Sequence, residues 1–105
     1  MHKLRITRRA FAQFQSVCDY LVDEFGERVA DDFELEVEEC LYMLMRFPES
    51  GHIELTDRKY VYRSRIVGEY NKMYYFIDKN TLVVAAFVDM RMHPDNVMKA
   101  VLGKK

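Results

Sequence analysis

Little in this sequence invites covalent or cofactor chemistry. It holds two cysteines, two prolines, four glycines, three histidines and no tryptophan. Cys18 and Cys40 stand inside apolar helical stretches and not in a spaced framework, so buried, reduced thiols are expected and a disulfide scaffold is not. No paired His/Cys spacing points to zinc, and no glycine-rich loop could cradle a nucleotide phosphate; no metal and no cofactor is expected. No Ser/His/Asp set can be assembled. No apolar run approaches the roughly 20 residues of a membrane span, and residues 1–7 lack the apolar core of a secretory signal. The expectation is a soluble protein of the reducing cytoplasm, with no membrane partner.

Charge of one sign is missing from the chain as a whole, since its formal net charge is −1 over 105 residues. The balance is uneven along the chain. From Thr7 to Phe47, four basic residues face ten acidic ones, a net of −6, so the remainder carries +5. Such a split gives the sheet and the C-terminal end, with Lys104 and Lys105, a positive field that favours anionic partners. Half of the residues are hydrophobic, which excludes disorder, and the length fits a single domain over residues 1–105 with a core of its own.

The stretch from Lys59 to Pro94 organises the rest. Val61, Arg63, Arg65 and Val67 fall on one side of a two-residue period and Tyr60, Tyr62, Ser64 and Ile66 on the other, which predicts a strand. Gly68-Glu69 can make a tight turn, because glycine supplies positive φ, and Tyr70 to Ile77 follows as an aromatic-rich second strand. After a turn at Asp78-Lys79-Asn80, Thr81 to Val88 is apolar almost throughout, as suits a strand paired on both edges and covered on its faces.

Upstream, Lys3 to Ile6 reads as a short strand and Thr7 as the N-cap of a helix running to about Phe25, with Phe11, Phe14, Cys18, Leu21 and Phe25 on one face. Gly26 ends it. A second helix from Glu27 to Phe47 is expected to bury Val29, Phe33, Val37, Leu41 and Leu44, and so short a break makes the two an antiparallel hairpin. Pro48-Glu49-Ser50-Gly51 is a joint, His52 to Arg58 reads as a loop, and Val97 to Leu102 as a last helical turn. The predicted class is α+β in the order β-α-α-β-β-β, a helical hairpin laid on one face of an antiparallel sheet. Its apolar last strand should lie between the second-last strand and the first.

With helices on one face, the other is expected to be open and lined by Arg63, Arg65, Lys72 and Arg91, a set able to hold phosphate or carboxylate through paired hydrogen bonds. The plainer alternative is solvated strand residues whose stems cover the sheet. His93 and Glu69 are the acid or base candidates nearby, against a plain surface role for each. Tyr62, Tyr70, Tyr74 and Tyr75 could stack on bases, but most are expected to be half-buried core residues.

The order of elements, Phe47-Pro48-Glu49-Ser50-Gly51, the Tyr62 to Ile77 hairpin with its Tyr-Arg-x-x-Ile-Val opening, and Phe-x-Asp-x-Arg-x-x-Pro from Phe87 to Pro94 together resemble the RelE/ParE toxins of bacterial type II toxin-antitoxin systems. The resemblance spans nearly the whole chain. It implies a plasmid-stabilisation type growth inhibitor held inactive by a cognate antitoxin that folds on binding. It also implies a target-facing or catalytic set of Arg63, Arg65, Arg91 and His93. RelE-like members are ribosome-dependent mRNA endoribonucleases, whereas ParE-like members poison DNA gyrase. No tyrosine follows His93, and the sequence pI of about 6.3 departs from the basic balance of the ribonucleases. The long hairpin and the proline joint look more like the ParE branch. A family member that only binds its partner and has lost toxicity is the third alternative.

Overall fold

The computed structural model describes residues 1–103; Lys104 and Lys105 lie outside the described residues. Strand β1 (Lys3–Ile6) leads into helices α1 (Arg8–Phe25) and α2 (Glu27–Arg46). A single 3-10 turn (Pro48–Ser50) then precedes β2 (His52–Thr56), β3 (Val61–Val67), β4 (Asn71–Asp78), β5 (Thr81–Asp89) and helix α3 (Pro94–Leu102). One five-stranded sheet has the order β1-β5-β4-β3-β2. The α+β architecture is the expected one, with β5 paired on both edges between β4 and β1.

Local chemistry accounts for the hairpin. Thr7 accepts the Ala10 amide at 3.1 Å through its hydroxyl, capping α1, and Gly26, at φ 95°, takes the positive φ that ends it. The buried face of α1 is rotated from the expected one. Ala10 is fully buried and Phe14, Val17, Cys18 and Leu21 pack on the core, whereas Phe11 and Phe25 are exposed. Ala10 is small enough to let the start of α1 close on β5. On α2, Phe33, Val37, Leu41 and Leu44 are buried as expected and are joined by Ala30 and Cys40, but Val29 is exposed. Cys40 is buried, Cys18 only partly, and both thiols are free.

Three features of the sheet differ from the sequence reading. The segment read as a loop contains β2, an edge strand of mixed polarity whose pairing to β3 is broken by a bulge at Glu54. Alternation is hard to see there, because an edge strand need bury little of either face and a bulge breaks the two-residue period. Strand β1 pairs with β5 in parallel, so the sheet is not wholly antiparallel. Finally, the face away from the hairpin is partly covered: Val97, Ala100, Val101 and Leu102 of α3 pack on a second core of Tyr62, Tyr74, Phe76, Val83, Ala85 and Val88.

That second core explains the apolar composition of β5, which is buried on both faces from Leu82 to Val88. A bulge at Ala85 lets the strand change register against β4, and past the end of β1 the start of α1 takes up backbone groups of β5: the Thr7 hydroxyl donates to the Ala85 carbonyl at 3.4 Å and the Gln13 side-chain carbonyl accepts the Phe87 amide at 2.9 Å.

Candidate functional site

The sheet separates the cations that the sequence reading grouped. Arg63 pairs across β3–β4 with Tyr75, and Arg65 with Met73, both members of the core beneath the hairpin. Side chains directly opposite share a face, so both arginines point to the hairpin side. Lys72 pairs with Ile66 and belongs to the opposite face. The expectation of one open face carrying Arg63, Arg65, Lys72 and Arg91 is therefore corrected. The cause is Val67, which shares the period of the two arginines and is fully buried, so their row begins in the core and emerges only where the hairpin stops covering β3.

Arg63 is held by the proline joint. Its Nη1 donates to the carbonyls of Glu49 at 3.0 Å and Gly51 at 3.1 Å. Tyr75, on the same face, donates to the Pro48 carbonyl at 2.6 Å and accepts the Gly51 amide at 3.0 Å. Burial pushes the Tyr75 phenol above its usual range. The two side chains, with Glu49, Val61, Phe76 and Ile77, line an open cleft of about 220 Å³. Arg65 lies farther in, within charge reach of Cys40 on α2, whose thiol burial pushes up and Arg65 lowers in part.

On the other face, Lys72 Nζ donates to Glu54 Oε2 at 2.8 Å and Ser64 Oγ donates to the same oxygen at 2.6 Å. Burial alone would raise the Glu54 carboxyl, but hydrogen bonds from Lys72 and Ser64 and the Lys72 charge outweigh it and hold it low. The hydrogen bond to Glu54 raises Lys72 in turn. Lys72 and Glu54 form the polar floor of a groove of about 400 Å³ between the sheet and α3, walled by Met90, Met92, Met98, Val97 and Leu55. Sequence reasoning missed Glu54 and Ser64. Glu54 sits on the bulge of the unrecognised strand, and Ser64 was visible only as a polar residue in an otherwise apolar row.

Arg91 stands at the end of the sheet. Its guanidinium forms two hydrogen bonds with the Asp89 carboxylate, from Nε at 3.0 Å and Nη2 at 2.7 Å, while lying 4.3 Å from the centroid of the exposed Tyr70 ring. The Arg91 contacts hold the Asp89 carboxyl below the usual carboxylate range. The Asp-x-Arg spacing was legible in the sequence, but its internal pairing was not. His93 caps α3, its Nδ1 accepting the Asp95 amide at 3.2 Å. Glu69 is exposed in the β3–β4 turn. The expectation for the tyrosines holds for Tyr62, Tyr74 and Tyr75, which are buried, while Tyr70 is exposed.

Arg63 and Lys72 lie on opposite faces of the sheet, and Arg91 stands apart from both at its end, with two of its N–H groups on Asp89 and the rest of its guanidinium exposed. Among the described residues, no three His, Cys, Asp or Glu side chains are grouped to hold a metal ion, and no helix is long and apolar enough to cross a membrane.

Comparison with known proteins fits this architecture. None of the curated proteins matches the chain. A solved structure described as the chromosomal ParDE TA system from P. aeruginosa superposes with a TM-score of 0.71 at 14% identity, covering 87% of this chain and 98% of that one. At that identity the match shows the fold. The model of the ParE toxin of the type II toxin-antitoxin system, parDE, matches residues 4–94. The chain belongs to the ParE toxin family of type II toxin-antitoxin systems.

Proposed function

We propose that this toxin inhibits DNA gyrase by binding, that it does not cleave RNA, and that a cognate antitoxin neutralises it in the bacterial cytoplasm. The observation that carries the reading is the separation of its cations. Cleavage of RNA through the 2′-hydroxyl needs a base, an acid and cations converging on one phosphorane. Here Arg63 is bonded to the joint on one face, Lys72 to Glu54 on the other, and Arg91 to Asp89 at the sheet end. His93 is occupied at Nδ1 as a helix cap. A toxin that acts by surface complementarity needs no such convergence.

Exposed apolar side chains supply contact area for a folding antitoxin or for a target. They include Tyr20, Phe25, Leu35, Tyr42, Phe47 and Ile66. Cells arrested by the toxin test the proposal. Plasmid recovered from them should show relaxed topoisomers while ribosome-bound message stays intact. Normally supercoiled plasmid together with codon-phased cleavage of message, abolished by His93→Ala, would make the RelE-like ribonuclease the correct reading.

A further inference from the structure

We propose that the outer edge of the sheet, formed by β1 and the start of α1, binds the phosphate backbone of duplex DNA. The biological meaning of this contact rests on the gyrase reading, because the substrate of gyrase is duplex DNA, but the contact is testable without gyrase.

Lys3 and Arg5 on β1 and Arg8 and Arg9 at the first two positions of α1 are all exposed. None of the ion pairs Lys72–Glu54, Arg91–Asp89 and His93–Asp95 involves these four cations. The first carboxylate in the sequence is Asp19. Lys3 and Arg5 pair with Thr81 and Val83, so both side chains project to the face that carries α3, about 7 Å apart along the strand. Arg9 lies on that side as well, since a Cβ on Gly103 at the end of α3 would meet its guanidinium. The row thus runs from the sheet edge to the amino end of α1, where outward amides and the helix dipole add to the positive potential.

The rest of the molecule orients the row. Ten of the 17 carboxylates fall between Asp19 and Glu39. Helix α1 therefore runs over about 27 Å from a basic end to the acidic tip of the hairpin. A polyanion is attracted to the first and repelled by the second, which fixes one docking orientation despite the net charge of −1.

Two features favour the duplex backbone. Residues 1–9 include no Phe, Tyr or Trp, and the exposed Phe11 is the lone ring in the first turn of α1, so the row offers no run of rings on which successive unstacked bases could lie. An acidic peptide that folds on binding needs apolar pockets between its ionic contacts, but Leu4 and Ile6 pair with Leu82 and Val84 and face the other side of the sheet. What remains is a row of point charges against a helix carrying one negative charge per roughly 1.7 Å of axis.

The test is fluorescence anisotropy of the purified toxin with a labelled random-sequence duplex over a salt series. Binding should fall in the range of about 1 to 100 µM, with a slope of log K against log salt near −3 to −4 for four neutralised phosphates. Lys3→Gln/Arg5→Gln/Arg8→Gln should bring the slope to about −1 and weaken low-salt binding at least tenfold, with an unchanged circular dichroism spectrum. Arg58→Gln/Lys59→Gln, between β2 and β3 at the far edge, should leave the slope within about half a unit of the parent. Equal losses in the two variants, or no duplex binding at low salt, overturn the proposal. So does a poly-glutamate peptide that binds through the same cations while the duplex does not. Duplex binding by this edge with gyrase left fully active would remove the gyrase reading and leave this assignment standing.

Discussion

Tyr75 is joined to Pro48 by a hydrogen bond of 2.6 Å, the phenol of β4 donating to the carbonyl that follows α2. The same oxygen accepts the Gly51 amide at 3.0 Å, so one hydroxyl fastens the end of the helical hairpin to the start of β2. Gly51 has no room for a side chain, because a Cβ there would overlap the Tyr75 ring and its hydroxyl. Tyr75 is fully buried, and removing its hydroxyl would leave a donor and an acceptor without their partner. Tyr75→Phe should destabilise the fold by about 1–3 kcal/mol with little change in the denaturant slope, measured by urea unfolding. A midpoint equal to that of the parent would show that water replaces the hydroxyl at no loss.

Acid should loosen the other face first. The Glu54 carboxyl is held below its ordinary value in the folded state, so its contribution is fully present above the unfolded value and is lost as pH falls through the lowered folded value. Lys72 has the opposite sign: its folded value is raised, so its contribution persists through neutral pH and is lost only as pH rises through that value. In Glu54→Gln the drop in urea midpoint between neutral pH and the acid side of the carboxylate range should shrink relative to the parent. Parallel pH profiles for the two proteins would place the acid sensitivity elsewhere.

Much of this arrangement was legible in the sequence, and the illegible parts share a cause. Thr7 and Gly26 mark α1 by chemistry internal to a few residues, and the apolar run of β5 declares its burial without reference to the rest of the chain. The face on which a strand residue projects is a tertiary property. Arg63 and Arg65 were correctly placed in one row with Val67, but only the position of the hairpin shows that the row belongs to its side. The same holds for α1, where Phe11 and Phe25 outrank Ala10 in hydrophobicity yet are exposed, because close approach to β5 favours the smallest side chain. Strand β2 escaped notice because its pairing is interrupted at Glu54, the residue that anchors Lys72 and Ser64.

Arg91 is the cation of the original set best placed to meet a target, since its side chain is 62% exposed and Asp89 and Tyr70 preorganise its orientation. Arg91→Ala should leave the melting temperature unchanged, as an exposed pair adds little to stability. Growth arrest at matched expression should weaken roughly tenfold with loss of the charge-assisted contact. Undiminished arrest by folded Arg91→Ala would remove this residue from the toxic surface.

A protein whose cations are parted by its own sheet should act on gyrase without cleaving RNA. The measurement is supercoiling of relaxed plasmid by purified gyrase, titrated with purified toxin, with a parallel translating extract scored for message length. Supercoiling should fall with toxin concentration and recover when the cognate antitoxin is added, while message remains full-length. Unimpaired supercoiling at saturating toxin, with message cut in the extract, would make the protein a ribonuclease and not a gyrase inhibitor.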